Sequence, residues 1–271
     1  MIVPVFNERR TLATLLDQLS KTHLQIDSEV IVVDDGSTDG SDRIIRKHGW
    51  LRSIHHNRNM GKGAAIRSGI AISSGDFICI LDADMEYSPR DLPNLVEPLM
   101  RGEAEAVFGS RFLGRPINMS VKNYIGNKIL TKLTQIVYKA QITDVMTGYK
   151  IFPRRLSEKT PLDIASFGFE IEITARLFAT NCRIVEVPIS YCARKLGKKI
   201  TWGDGLMSVY YILKYRFHLK APRLQFINRL LTFKKKPFST SSCRQSTVSP
   251  CPSSGRHQSL RAEHHYTEAI Q

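Results

Sequence analysis

The sequence has few cysteines, and neither their number nor their spacing indicates disulfide bonds or a C-x-x-C motif. Its 271 residues include five cysteines, an odd number, with no C-x-x-C pair among them. Cys79 lies inside an apolar run, which predicts a small core residue. The pattern indicates a reducing compartment and no disulfide framework.

Long apolar runs are absent as well. The first residues lack the basic region and the apolar stretch of a signal peptide. No run of about 18 apolar residues, the length needed to cross a bilayer, occurs in the chain. We therefore expect a cytoplasmic protein without a transmembrane span, which could still bind peripherally at the inner face of the membrane.

Acidic residues are scarce relative to basic ones, and half of the basic excess lies at the C-terminal end. The formal net charge is +14, of which +7 falls within residues 218–271. A solvated face could account for any one basic cluster, but the balance favours an anionic partner, either nucleic acid, an acidic membrane surface or a phosphorylated substrate. Because the chain lacks both interleaved aromatic and basic residues and a recognition motif, we expect no nucleic-acid partner.

The apolar runs that are present alternate with helical patterns. β-branched and apolar runs predict strands at residues 2–3, 30–33, 77–81 and 106–108, and helical patterns fall at 11–19, 41–47 and 63–73. This alternation predicts an α/β fold with a mostly parallel central sheet flanked by helices. In such sheets, ligands bind beyond the carboxyl ends of the strands.

The second half of the chain has fewer strand patterns. Helices are predicted at residues 121–138, 168–179 and 205–217, and a strand at 184–189 is interrupted or placed at an edge by Pro188. From about residue 234 the chain is rich in Ser, Thr, Pro, Arg and His and has no apolar periodicity, which predicts a disordered tail.

Two carboxylates stand one residue apart directly after the predicted strand at 77–81. Asp82 and Asp84 would project into the crevice at the end of that strand. Hard divalent cations prefer oxygen ligands and often share them with phosphates, so Asp84 and Glu86 could hold a metal together with a diphosphate. A solvated acidic turn would give the same short motif.

Two further motifs follow the same logic at neighbouring strand ends. Asp34 and Asp35 follow the strand at 30–33 and could accept hydrogen bonds from a base or ribose, although an Asx turn that caps the next helix fits equally. Lys62 lies in a glycine-containing turn before a helix, where anions are favoured. The full phosphate-loop spacing is absent.

The ordered set of these motifs resembles the large inverting glycosyltransferase family 2, which has a GT-A fold. The matching segments are residues 3–8 (VPVFNE), 32–40 (VVDDGSTDG), 61–63 (GKG), 81–84 (LDAD) and 109–111 (GSR). Later segments resemble the dolichyl-phosphate mannose synthase branch and its bacterial polyprenyl-phosphate relatives; they are residues 146–150 (MTGYK), 167–170 (FGFE), 186–189 (EVPI), 191–194 (YCAR) and 197–200 (GKKI). The resemblance extends over about residues 2–217.

The resemblance implies a role for each matching position. A nucleotide-sugar donor would contact Pro4, Phe6, Glu8, Asp34, Asp35, Lys62, Asp82 and Ala83. Mg²⁺ or Mn²⁺ would be held by Asp82, Asp84 and Glu86, and an acceptor phosphate by Arg111, Arg194 and Lys198. Asp82, Asp84 and Arg111 would be the catalytic residues.

The same resemblance implies a domain arrangement. Residues 1–217 would form the GT-A catalytic domain, with a nucleotide-sugar half at about 1–112 and an acceptor half at about 113–217. A basic segment at 218–236 and a tail at 237–271 would follow.

In the implied reaction, an acceptor oxygen attacks the anomeric carbon of a GDP- or UDP-linked sugar and inverts its configuration. A polyprenyl phosphate acceptor is already anionic and needs no strong base. A neutral sugar hydroxyl on a soluble or polysaccharide acceptor would need one, and Asp144 is the best candidate, although a helix-cap or loop role fits it as well. A non-catalytic protein that binds nucleotide sugars or anionic lipids is the alternative from another class.

The predicted helix at 205–217 carries an apolar stripe beside basic residues. Leu206, Val209, Tyr210, Leu213 and Phe217 fall on one side of it, with Lys214 and Arg216 close by. Such a stripe could lie in the interface of an anionic membrane, or it could pack on the sheet.

Overall fold

Seven short strands form one sheet in the computed structural model, which describes residues 1–158, 168–194 and 202–218. These residues fall within one unit, Met1–Leu224. The strands are β1 (Ile2–Val5), β2 (Ile31–Asp34), β3 (Arg52–His55), β4 (Phe77–Ile80), β5 (Ala106–Ser110), β6 (Lys150–Pro153) and β7 (Ile184–Pro188).

The strand order is β3-β2-β1-β4-β6-β5-β7. β3, β2, β1 and β4 pair in parallel, and so do β5 and β7, whereas β6 runs antiparallel to both β4 and β5. The predicted α/β fold with a mostly parallel sheet is therefore confirmed.

Eight helices connect these strands within the described residues. They are α1 (Arg9–Ser20), α2 (Ser41–Ile45), α3 (Lys62–Ile72), α4 (Leu92–Met100), α5 (Val121–Tyr138), α6 (Arg155–Glu158), α7 (Phe169–Ala179) and α8 (Trp202–His218). A short 3₁₀ turn, Pro89–Asp91, precedes α4.

Helices cover both faces of the sheet. Successive side chains of β1 alternate between two core clusters, one on each face. Val3 and Val5 point into one core cluster, which includes Leu12 and Leu16 of α1. Ile2 points into the other, which includes residues of α3 and α7. Because successive side chains of a strand face opposite ways, both clusters need a covering layer, and the helices provide it.

Four elements were not predicted, namely β3, α4, β6 and the four-residue α6, and the first three lack the expected pattern. β3 is largely exposed at the sheet edge, so no apolar run marks it. β6 begins with a buried lysine and ends with proline, and α4 contains Pro98. β6 also inserts residues 150–153 between β4 and β5, so the strand order interleaves the two predicted halves at 1–112 and 113–217.

The predicted basic segment and tail, apart from His218 at the end of α8, lie outside the described residues. Among the helices that the structure describes, none has both the length and the apolar character required to cross a bilayer.

The turn after β2 depends on a glycine that no larger residue could replace without strain. Gly36 has a φ of +74°, and a Cβ built on it would lie 2.6 Å from the carbonyl carbon of Arg58. This close approach brings the loop before α3 against the end of β2.

We expect Gly36→Ala to lower the free energy of unfolding by about 2 kcal/mol or more, because the left-handed conformation alone costs an alanine about 1–2 kcal/mol and the backbone contact adds to it. Gly49→Ala is the matched control, since no atom lies within 4 Å of the position that its methyl group would take. Denaturant unfolding of both variants measures the difference, and equal stabilities would contradict the close approach.

Candidate active site

The functional residues predicted from the sequence gather at one edge of the sheet. Glu8 follows β1, Asp34 ends β2, Asp82 follows β4 and Arg111 follows β5. Parallel strands present their carboxyl ends on the same side, which is where such sheets bind ligands. Ion pairs join these residues into two charged clusters, one around Asp82 and Asp84 and one around Arg111.

Lys62, at the start of α3, joins two carboxylates. Its Nζ lies 2.8 Å from Asp82 Oδ1 and 2.8 Å from Glu170 Oε1. Burial disfavours the ammonium, but the charges of Asp82 and Glu170 outweigh burial and raise the pKa of Lys62 above its ordinary value. Lys62 therefore sets the position of Asp82 within the cluster, in addition to its predicted contact with an anion.

Arg194 connects the first strand with the acidic motif. Its Nη1 donates to both carboxylate oxygens of Glu8, at 2.9 and 3.1 Å. Its Nη2 lies 3.5 Å from Asp84 Oδ2. One guanidinium thus contacts both a predicted donor-binding residue and a predicted metal ligand.

The environment of Asp84 strongly changes its acidity. Burial and then the nearby charges of Asp82 and Glu86 raise the pKa of Asp84 to about 7. Its Oδ1 accepts a hydrogen bond from the backbone N–H of Glu86 at 3.0 Å. A site that raises the pKa of a carboxylate in this way favours an added positive charge.

The carboxylate of Glu86 accepts hydrogen bonds from two neighbouring residues of the protein. Tyr191 Oη donates to Glu86 Oε2 at 2.5 Å, and the backbone N–H of Arg194 donates to Oε1 at 3.0 Å. Within the described part of the chain, no group of three or more His, Cys, Asp or Glu is arranged to hold a metal ion. Lys62 contacts the carboxylate of Asp82, and Tyr191 contacts that of Glu86. Metal binding by Asp82, Asp84 and Glu86 together stays a prediction.

The chemistry of the remaining oxygens still fits a divalent cation. Mg²⁺ is commonly held by one or two carboxylates, with substrate phosphates and waters completing its coordination. Asp84, whose pKa is raised by burial and by the charges of Asp82 and Glu86, is the residue that fits such a site best.

Asp34 and Asp35 are both buried and both accept hydrogen bonds from their own chain. Asp34 Oδ1 accepts from the backbone N–H of Ser37 at 3.0 Å, which is the turn-forming role that was the alternative to ligand binding. Asp35 accepts from the backbone N–H groups of Met60 at 2.9 Å and Gly61 at 2.8 Å, and therefore anchors the loop before α3. Contacts of either carboxylate with a nucleotide stay a prediction.

Three other predicted donor contacts occupy consistent places. Pro4 is half-buried in β1 and Phe6 is half-buried just beyond it, whereas Ala83 is buried between the two aspartates. Lys198, predicted to bind the acceptor phosphate, lies outside the described residues.

Arg111 and Asp144 form a buried bidentate ion pair. Arg111 Nε and Nη2 donate to Asp144 Oδ2 and Oδ1, each at 2.7 Å, and Asp144 is 0% exposed. The guanidinium carbon also lies 5.2 Å from the ring centroid of Tyr191. Sequence reasoning identified both charged residues but not their pairing, which joins the predicted phosphate-binding arginine to the candidate base.

Two residues of this edge were given no role of their own from the sequence. Glu170 pairs with Lys62 from α7, and Tyr191 lies between Glu86 and Arg111. Both fall inside segments that resemble the family, so the motif was recognised but the contact it makes was not.

Comparisons with known proteins agree with this geometry. The model of the family described as Glycosyl transferase family 2 matches residues 1–160. Polyprenol monophosphomannose synthase of Mycolicibacterium smegmatis is 27% identical, over 73% of this chain and 78% of the relative. Glycosyltransferase AglJ of Haloferax volcanii is 28% identical, over 73% of this chain but only 64% of its own length.

A solved structure with a similar fold is glucosyl-3-phosphoglycerate synthase from Mycobacterium tuberculosis in complex with Mn²⁺, uridine diphosphate and phosphoglyceric acid. It superimposes with a TM-score of 0.64 at 20% identity, over 80% of this chain and 77% of that one. The similarity extends the agreement to the three-dimensional arrangement of the sheet and its helices.

We expect Asp144→Asn to lower the free energy of unfolding by about 3–5 kcal/mol, because it leaves the buried Arg111 guanidinium without a charged partner. Adding Arg111→Met should recover part of this loss, since the uncompensated charge is then removed. Asp17→Asn, which breaks the exposed pair with Lys21, is the control and should cost about 0–1 kcal/mol. A loss as small as that of the control would contradict the pairing.

Proposed function

We propose, from the premise that this chain belongs to glycosyltransferase family 2, that it transfers a sugar from a nucleotide diphosphate donor to a polyprenyl phosphate with inversion at the anomeric carbon. The transferase activity follows from the family. The GDP- or UDP-linked donor and the lipid phosphate acceptor are the finer parts of the proposal.

The observation that carries the acceptor is the pairing of Asp144. A neutral hydroxyl needs a base to remove its proton as it attacks, and Asp144 was the candidate for that role. Its two oxygens are instead engaged by Arg111 in a buried pair. A phosphate monoester is already anionic, so an acceptor of this kind attacks without a protein base.

The donor would bind along the edge formed by β1, β2 and β4. Glu8, Asp34 and Asp35 are proposed to contact the nucleoside, with Pro4, Phe6 and Ala83 lining its path. Mg²⁺ or Mn²⁺, held by Asp84 together with diphosphate oxygens, would offset the charge that develops on the leaving diphosphate. Lys62 keeps Asp82 in place beside this site.

The acceptor phosphate would meet the basic residues of the same edge. Arg194 already lies 3.5 Å from Asp84, which places its guanidinium beside the proposed diphosphate site. Arg111, although paired, and Lys198 are the further proposed contacts. Positioning of the two substrates and electrostatic stabilisation of the leaving group would then account for catalysis.

A soluble hydroxyl acceptor is the second candidate, and a named similarity favours it. The structural relative is a glucosyl-3-phosphoglycerate synthase that was solved with phosphoglyceric acid. At 20% identity the likeness to this synthase supports the fold alone. The name of the 27% identical relative, polyprenol monophosphomannose synthase, supports a lipid phosphate acceptor. A non-catalytic binding protein stays the alternative from another class.

A lipid acceptor requires contact with a membrane, and the described surface offers a face for it. Leu206, Tyr210, Leu213 and Phe217 of α8 are exposed, whereas Ile212 and Tyr215 on its other side are buried. The alternative that the stripe packs on the sheet therefore does not hold for these four residues.

Helix α5, which packs on α8, has exposed apolar residues of its own. The two helices are joined by hydrogen bonds from Tyr138 Oη to Ile212 O and from Arg216 Nε to Val137 O, both at 2.9 Å. The exposed apolar residues of α5 include Val121, which is 73% exposed, and Ile125, Ile129 and Ile136. α5 contains three lysines and no acidic residue. Apolar side chains flanked by basic ones favour an anionic membrane surface.

We expect Asp84→Asn to reduce transfer by about 100-fold or more, because it removes the carboxylate proposed to hold the metal beside the leaving group. Asp27→Asn, at an exposed position, is the control. The assay incubates each protein with a panel of nucleotide sugars, Mn²⁺ or Mg²⁺, and either a polyprenyl phosphate or a soluble hydroxyl acceptor, and measures the sugar transferred to each. Full activity of the variant, or of the native protein in excess chelator, would contradict the metal site, and transfer only to soluble hydroxyl acceptors would favour the second candidate.

We expect the double variant Leu206→Ser and Phe217→Ser to bind anionic liposomes about tenfold or more weakly, because each large apolar side chain contributes about 1.5–3 kcal/mol when fully buried. Met100→Ser removes an exposed apolar side chain of α4 and is the control. Sedimentation with anionic and neutral vesicles, at low and high salt, measures the binding. Equal binding to both vesicle types, or none, would contradict an electrostatic membrane face.

A further inference from the structure

A buried segment, residues 143–149, connects the two charged clusters of the active site. At one end Asp144 pairs with Arg111. At the other, Gly148 packs so closely on Asp82 that an added Cβ would lie 2.7 Å from Asp82 Oδ2. A shift of this segment would therefore change the geometry of both clusters together.

Side chains from three surrounding elements hold the N–H groups of this segment. Glu186 of β7 accepts from the backbone N–H groups of Thr143 at 2.6 Å and of Asp144 at 3.0 Å. Thr131 of α5 accepts from the N–H of Val145 at 3.3 Å, and Tyr87 Oη accepts from the N–H of Gly148 at 3.0 Å. Four N–H groups of the segment are thus bonded from outside it, which meets the need of buried backbone donors for a partner.

Lys150 holds the carbonyl groups of the same segment. It is the first residue of β6 and is 1% exposed. Its Nζ donates to the carbonyl oxygen of Val145 at 3.0 Å and to that of Thr147. It also lies 4.8 Å from the ring centroid of Phe108.

Burial of this ammonium is energetically unfavourable. Burial lowers the pKa of Lys150 to about 8, against the opposing influence of the charges of Glu170 and Asp144. A methionine would fill the same space in a core without that cost. Packing alone therefore does not explain a lysine at this position, whereas its hydrogen bonds to two carbonyl groups do.

We propose that Lys150 is a positioning residue, whose ammonium fixes segment 143–149 between Asp82 and Arg111 and so aligns the donor and acceptor sides of the site. Its effect on the rate rests on the proposed transfer reaction, whereas its effect on the segment does not. Without the ammonium, the carbonyl oxygens of Val145 and Thr147 lose this donor, and the segment keeps its N–H contacts and the bond from the Gly109 N–H to the carbonyl oxygen of Tyr149.

The test compares Lys150→Met, which keeps the length of the side chain but removes its charge and donors, with Lys150→Arg, which keeps both. Lys47→Met, at an exposed position of the loop after α2, is the matched control. Hydrogen exchange of peptides that cover residues 143–149, unfolding of each variant, affinity for UDP or GDP with Mn²⁺, and kcat for transfer are measured.

For Lys150→Met we expect exchange within residues 143–149 to rise about tenfold or more, with exchange in β1 and β4 unchanged. The kcat should fall about 10- to 100-fold while nucleotide affinity changes less than about threefold, because misplaced groups affect the reacting geometry most. Lys150→Arg should retain most of the protection and of kcat. The control should match the native protein in every measurement.

Several outcomes would overturn the proposal. They are unchanged exchange in Lys150→Met, a rise in exchange spread over the whole sheet, or an equal loss in Lys150→Met and Lys150→Arg. If Lys150→Met does not fold, Lys150→Arg still decides, since loss of segment protection in a folded Lys150→Arg variant contradicts the role of the ammonium. If the native protein transfers no sugar, the proposed function fails, and the exchange measurement still tests the position of the segment.

Discussion

Four charged side chains, Lys62, Arg111, Asp144 and Lys150, lie largely or wholly buried along one edge of the sheet, and each must find a partner there because water reaches them poorly. Unpaired, a buried charge costs several kcal/mol even after the protein relaxes. Lys62 meets Asp82 and Glu170, Arg111 meets Asp144, and Lys150 meets two carbonyl groups. The positions of the active-site residues follow from these partnerships.

This compensation changes which residues remain available for substrates. Asp82 and Glu86 carry the charge expected of metal ligands, but Lys62 and Tyr191 hold them. Burial and the charges of Asp82 and Glu86 raise the pKa of Asp84, and a cation bound beside it would stabilise its charged form. The metal and the diphosphate would thus complete each other's coordination, and the protein would bind them together more readily than either alone.

The pairing of Asp144 with Arg111 also bears on the proposed acceptor. A carboxylate held in a bidentate pair with arginine is a poor base, and this is why we propose an acceptor that brings its own negative charge. A lipid phosphate has that charge, and the exposed apolar residues on α5 and α8 provide a surface on which its tail could stay in the bilayer. The acceptor proposal and the membrane proposal therefore support each other, although each has its own test.

The sequence by itself determined the class of fold, the family and the strand ends at which the site would lie. β-branched runs such as 30–33 and leucines at helical spacing in 11–19 are local patterns, and local patterns can be interpreted without the fold. Strands β3 and β6 escaped prediction because one is exposed at an edge and the other begins with a buried lysine.

Only the tertiary structure decided how the charged residues pair. Arg111 and Asp144 are 33 residues apart in the chain, and Lys62 and Glu170 are 108 apart. No short motif encodes a contact over such a separation. The Arg111–Asp144 contact arises where β6 inserts between β4 and β5 and brings segment 143–149 to the edge of the sheet. The sequence identified the charges that the site contains, and the folded chain decided which of them are left to meet a substrate.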